Sequence, residues 1–280
     1  MGDSLLTATL FLTTDPFPVS ALIRKINYLH IWRGHQRVWG AEIYHPSYDR
    51  WLYLFLHRWG GMGRLERKVI ETLIRPGMSV LDVGANIGLY SALFSKCVGP
   101  QGKVTALEPV PDLYQALLRT LQLNHLANVE AYAYAAGAEE GTVDLALDAF
   151  NSGNNWITPS SGRNGAITAP VRRIDSLNLD RAPDFIKIDV QGWEVEVLRG
   201  LSGLLASNPA PAIFCEISLA SLKAAGSSAR ELGQFLLDYR YEIKLPLLRE
   251  GELEFVPLDL AALEQKAVST FYFDILAAPR

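Results

Sequence analysis

The stretch that decides the fold is Val80-Leu81-Asp82-Val83-Gly84-Ala85-Asn86-Ile87-Gly88. An apolar strand runs into a tight glycine turn, and a helix follows. Gly84 and Gly88 carry no side chain to hold a ligand away from the backbone. A helix start also offers free N–H groups to a polar or anionic group. In an open α/β sheet such a turn lies at the carboxyl edge of its strand, where ligands bind. The spacing is Gly-x-x-x-Gly, not Gly-x-Gly-x-x-Gly, which argues against a pyrophosphate cradle. Downstream, Glu108 ends the next apolar strand. An acid there accepts hydrogen bonds from ribose hydroxyls. Loop and acid together read as a nucleoside site.

Outward from this point the pattern alternates. The periodicity predicts helices over 66–74, 86–97, 111–126, 193–205 and 229–239. It predicts strands over 79–83, 103–107, 129–134, 184–190, 212–217 and 271–276. Such β-α alternation implies a mostly parallel sheet with helices on both faces. The segment 136–176 breaks the rhythm. It reads as a small β excursion carrying the polar loop Asn151-Ser152-Gly153-Asn154-Asn155-Trp156 over the edge of the site.

A second constellation is Phe185-Ile186-Lys187-Ile188-Asp189-Val190-Gln191-Gly192-Trp193-Glu194. The period of two puts Lys187 and Asp189 on one face of a strand. A buried strand lysine needs a carboxylate partner. Glu194 opens the next helix, where the macrodipole favours a negative charge. Glu216 ends the fifth strand of the alternation and points to the same edge.

Composition bounds the rest. The chain has 280 residues, 49% apolar and 20% charged, as expected of a globular protein. Its net charge of -4 argues against a general nucleic-acid binder. Residues 1–75 hold ten Lys/Arg against six Asp/Glu, and the remainder is acidic. That first segment also holds four of the six tryptophans and four of the five histidines. It reads as an N-terminal helical, aromatic-rich cap over residues 1–64, ahead of a cofactor domain over 65–280. The cap is read as packing or a homodimer interface, with an acceptor pocket and a membrane-surface contact as alternatives. His30, His35, His45 and His57 could reach a substrate from there, but they read as structural, and His125 as a surface residue. Two separated cysteines, Cys97 and Cys215, form no disulfide framework. No signal peptide or transmembrane segment is evident, so a cytoplasmic enzyme is expected. No metal-ligand spacing stands out, and metal dependence is left open.

At these residues the chain resembles the FkbM family of S-adenosylmethionine-dependent methyltransferases, over about residues 65–277. The resemblance rests on the ordered set Asp82–Gly88, Glu108-Pro109, Asn151-Ser152-Gly153, Ile174-Asp175-Ser176-Leu177, Ile186–Gly192 and Glu216. It implies a class I methyltransferase fold, Rossmann-like, with a seven-stranded, mostly parallel sheet. It implies S-adenosylmethionine as cofactor, contacted by Asp82, Gly84, Ala85, Asn86, Gly88, Leu89, Glu108, Pro109, Ala135 and Asp189. Glu108 would hold the ribose and the Tyr134-Ala135 end would flank the adenine. Asp189, Lys187 and Glu216 become the catalytic candidates, with a small-molecule or glycan hydroxyl as acceptor. The family usually has Glu where this chain has Gln191, and a small residue where it has Trp193. A nucleic-acid methyltransferase and a non-catalytic interaction module are the competing readings.

Overall fold

The structure, a computed structural model, describes residues 34–49, 52–54, 56, 63–147, 156–158, 166–207 and 209–280. The chain enters through a hairpin of β1 (His35–Val38) and β2 (Ala41–Tyr44). Its two-residue turn is Trp39-Gly40, with φ of 50° and 85°. Paired left-handed residues match the twist of antiparallel strands. Within the segment expected to be helical, residues 35–44 are β, with the Trp-Gly turn joining the two strands. Residues 52–54 and 56 are helical. Trp32, Trp51, Trp59, His30 and His57 lie outside the described residues.

The main body then alternates. In order come α1 (Arg64–Leu73), β3 (Ser79–Val83), α2 (Leu89–Val98), β4 (Lys103–Leu107), α3 (Pro111–Leu123) and β5 (Val129–Tyr132). Gly88, at φ 87°, caps α2, so that helix starts three residues later than expected. The excursion follows as β6 (Ala135–Ala136), β7 (Gly141–Ala146), β8 (Trp156–Thr158) and β9 (Ala166–Arg172). These pair as a separate four-stranded sheet in the order β6-β9-β7-β8. Residues 151–155 of the expected loop lie outside the described residues.

The alternation resumes with β10 (Phe185–Ile188), α4 (Glu194–Gly200), α5 (Ser202–Leu205), β11 (Ala212–Ile217), α6 (Leu219–Ala224) and α7 (Ala229–Asp238). The helix expected over 193–205 is broken at Leu201 (φ -121°). The chain closes with β12 (Tyr241–Arg249), β13 (Glu252–Pro257), α8 (Leu260–Ser269) and β14 (Phe273–Pro279). The main sheet has eight strands in the order β13-β12-β14-β11-β10-β3-β4-β5. Strands β11, β10, β3, β4 and β5 are parallel; β14 runs antiparallel to β11 and to β12. The eighth strand is β13, an edge addition made by the Glu250-Gly251 turn (φ 53° and 88°).

One face of the sheet packs Leu81, Ile186, Ile213 and Ile275 against α4, α7 and α8. The other packs Val80, Val104 and Phe214 against α1, α2 and α3. On this second face the carboxyl ends of the strands carry charge instead of apolar side chains. Lys187 of β10 pairs in register with Asp82 of β3, and Glu216 of β11, two residues beyond Lys187's partner Phe214, pairs with Asp274 of β14. The hairpin seats on α3. Glu42 N–H donates to Asn124 Oδ1 at 2.8 Å, Tyr44 N–H donates to Thr120 Oγ1 at 3.0 Å, and Ile43 is fully buried.

Candidate functional site

Strand order reverses between β3 and β10. From β3 the chain proceeds outward through β4 and β5, then returns to lay β10 on the other side. Loops leaving the two strands therefore diverge and leave a crevice at their carboxyl ends. Here Asp189 N–H donates to Val83 O at 3.0 Å. A Cβ on Gly84 would lie 1.9 Å from the Asp189 carbonyl oxygen. So Gly84 is required by the neighbouring strand's backbone, as well as by its φ of 85°. A Cβ on Gly88 would meet the Leu117 Cδ1 of α3 at 2.7 Å. Packing within the protein thus requires both glycines, and Gly84 also lines the cleft.

The crevice holds one wall of charge and one of apolar surface. Glu108 is buried just past β4. Its oxygens accept from Asn86 N–H at 2.8 Å and Val110 N–H at 2.9 Å. Burial pushes its carboxyl up to about 7 against those bonds. Two backbone donors fix its orientation, and each oxygen keeps a lone pair for a further donor. Pro109, Val110, Leu113, Tyr134, Ala135 and Leu145 line the cleft beside it. Asp189, Gln191 and Glu216 line its other end. The enclosed part is small, about 170 Å³, so a nucleoside-sized ligand would extend from its mouth. A larger groove of about 900 Å³ lies at the opposite edge, near the start of β4, and carries none of the charged motif residues.

At the second end, Lys187 Nζ donates to Asp189 Oδ2 at 2.9 Å and sits 4.5 Å from the Tyr90 ring centre. Burial works against its charge, but Asp189, Asp82 and Glu216 outweigh burial and hold the ammonium above the usual lysine range. Gln191 Nε2 donates to Asp189 Oδ1 at 3.2 Å and to Glu216 Oε1 at 2.8 Å. Burial, then Asp189, raises Glu216 to about 8. Asp82 is fully buried and accepts from Ser91 Oγ at 2.6 Å. Its Oδ1 has no partner among the described residues. Glu194 caps its turn by accepting from Gly192 N–H at 2.9 Å, and burial raises it to about 7.

The structure brings Gly84, Asn86, Glu108, Pro109, Ala135, Asp189 and Glu216 to one cleft. Lys187 supports that cleft from below through Asp189. Asp82, Ala85 and Gly88 build the loop without lining the cleft. Leu89 does not reach it: as the first residue of α2 it lines the groove at the opposite edge. Of the histidines, His35 pairs with Glu42 at 2.9 Å. His45 is buried against Gln36, and burial lowers its pKa to about 3. His125 is exposed past the end of α3.

Sequence reasoning missed Asp274, Glu66 and Tyr90. Asp274 stands opposite Glu216 across β11 and β14, and it shares a hydrogen bond with Glu66 of α1. Burial, then Glu66 and Glu216, holds Asp274 well above its ordinary range. A lone acid within the apolar run Phe271–Leu276 was the available signal. Gln191 was noted only as a departure. Among the described residues no cluster of His, Cys, Asp and Glu is arranged to hold a metal ion. No helix of the described residues is long and apolar enough to cross a membrane.

Residues 82–243 match the family model described as the Methyltransferase FkbM domain. Methyltransferase sdnD of Sordaria araneosa is 30% identical over 155 residues, which cover 44% of this chain and 60% of that protein. Methyltransferase 1 of Beauveria bassiana is 27% identical over 144 residues, covering 44% and 57%. The chain thus spans about six tenths of the length of these relatives. Among solved structures, Aeropyrum pernix fibrillarin with bound S-adenosyl-L-methionine aligns with a TM-score of 0.45 and 16% identity, over 87% of this chain and 84% of that one.

Proposed function

This chain belongs to the FkbM methyltransferase domain family, and from that premise we propose that it methylates a hydroxyl group on a sugar, glycan or natural product, with S-adenosylmethionine as methyl donor. The single observation that carries the proposal is the two-ended cleft. An anchored acid, Glu108, faces apolar walls at one end, and Asp189 with Glu216 stands at the other. That donor set fits the cofactor. Glu108 suits a ribose diol, the Tyr134-Ala135 wall suits a flat base, and Asp189 suits the cationic methionine end.

Bound there, S-adenosylmethionine supplies a methyl group on a positively charged sulfur, open to direct displacement. The protein's task is then to orient the acceptor and take its proton. Glu216, at about 8, is poised to accept that proton from an alcohol. Lys187 orients Asp189 through their 2.9 Å bond. Asp82 holds the glycine loop to α2 through Ser91.

Thermal unfolding with S-adenosylhomocysteine tests the reading. At a hundredfold excess over its Kd, the ligand should add about 2.7 kcal/mol of stability. Asp82→Ala and Glu108→Ala should lose that shift. No shift at millimolar ligand would refute cofactor binding. Screening hydroxyl and amine acceptors with the same enzyme then tests the acceptor class, and turnover confined to amines would overturn it.

A further inference from the structure

We propose that Gln191 is the positioning residue of the acceptor end: its amide holds Glu216 by Oε1 and Asp189 by Oδ1, and so presents Glu216 Oε2 to the acceptor. This rests on the reading of the cleft given above. The two bonds measure 2.8 Å to Glu216 and 3.2 Å to Asp189. A primary amide carries two N–H donors on one nitrogen, which matches two acceptors, Asp189 just past β10 and Glu216 on β11. A carboxylate at this position would supply no donor and would add a third negative group.

The backbone sets where that amide goes. Gln191 is held at φ 53° and Gly192 at φ 106°. A Cβ on Gly192 would lie 2.3 Å from the Ser221 carbonyl oxygen, so the turn is pressed on α6. Gly192 N–H is tied to Glu194. The next consequence is a division of labour. Asp189 has both oxygens engaged, Oδ2 by Lys187 and Oδ1 by Gln191. Glu216 has a single oxygen engaged, and its Oε2 has no hydrogen bond among the described residues. Asp189 is therefore the anchor and Glu216 the proton acceptor.

The groups that face Glu216 come from several elements. From β10, Asp189 raises its proton affinity and Lys187 lowers it; Glu194 of α4 raises it. Asp274 of β14, Glu66 of α1, Tyr272 and Tyr90 complete the surroundings. Gln191 is the neutral donor among them, and its bond favours the ionised form.

The test is a carbon-13 carboxyl titration of the full chain with labelled glutamate. The Glu216 signal is assigned by its loss in Glu216→Gln. In the unaltered protein its midpoint should fall near 8. In the neutral variants Gln191→Met and Gln191→Leu the midpoint should rise by about one pH unit, the effect of losing one hydrogen bond to a charged group. A structural role alone would leave the midpoint in place. Gln191→Leu, which adds no charge, carries the test if Gln191→Met fails to fold. An unchanged midpoint in the folded variants overturns the proposal. Calorimetry with S-adenosylhomocysteine separates the two readings. Lack of binding by the unaltered protein counts against the methyltransferase reading, whereas binding with an unmoved midpoint counts against Gln191 alone.

Discussion

Lys187 stands among more buried negative charge than one ammonium can neutralise. Asp189 and Asp82 attract it most strongly, and Glu216 adds to them. Removing the lysine leaves those carboxylates without compensation in a dry setting. Lys187→Met should therefore cost about 3–5 kcal/mol, read by urea denaturation near neutral pH. The loss should shrink in acid, where the carboxyls protonate. Glu194 works the other way. Burial raises it from 4.5 to about 7, so the folded state holds its proton more tightly than the unfolded state. Stability from this group is present below about 4.5 and is lost as pH rises to about 7. In Glu194→Gln the fall in stability across that window should flatten, as measured by denaturation at a series of pH values. For Glu216 the consequence is kinetic. Methyl transfer should rise through a limb near pH 8, and Glu216→Gln should remove the limb.

At the scale of elements, the two loop glycines make unequal demands. Alanine at position 84 would drive a Cβ to 1.9 Å from a backbone oxygen, and backbone cannot turn aside. Alanine at position 88 would meet the end of the Leu117 side chain at 2.7 Å, which can rotate. Gly84→Ala should cost about 4 kcal/mol or more, and Gly88→Ala about 1–2 kcal/mol, by chemical denaturation. The central strands β3, β4 and β11 were legible in the sequence to the residue, because continuous apolar runs bounded by turns leave few alternatives. The β12–β13 hairpin was not. Pro246 interrupts its first strand, and a proline there argues against a strand unless the partner tolerates the missing N–H. The β1–β2 hairpin was hidden by its aromatic content, which fits a helix face or a strand equally well. In the site, Lys187 with Asp189 was readable because they stand two residues apart at the end of one strand. Gln191 with Glu216 was not, since that bond joins the turn after β10 to β11, and their meeting depends on a register not written in either segment.

For the molecule as a whole, protection should grade across the sheet. All five residues of β3 are buried, and both of its neighbours are parallel partners. Strand β13 lies at an edge and is half exposed. Amide hydrogen exchange should be slowest in β3 and β10 and fastest in β13, with rates differing by orders of magnitude. Equal protection across the sheet would contradict this order. The contact of Gly84 with Asp189 also has a meaning in time. These residues are neighbours in space but lie about a hundred positions apart along the chain, a costly loop to close. During synthesis the glycine loop emerges long before the strand that completes its pocket. Glu108 is in place early, but the second wall arrives only with β10. The cofactor can therefore stabilise the finished sheet and never its first half, which must stay out of trouble unaided while the ribosome delivers the rest.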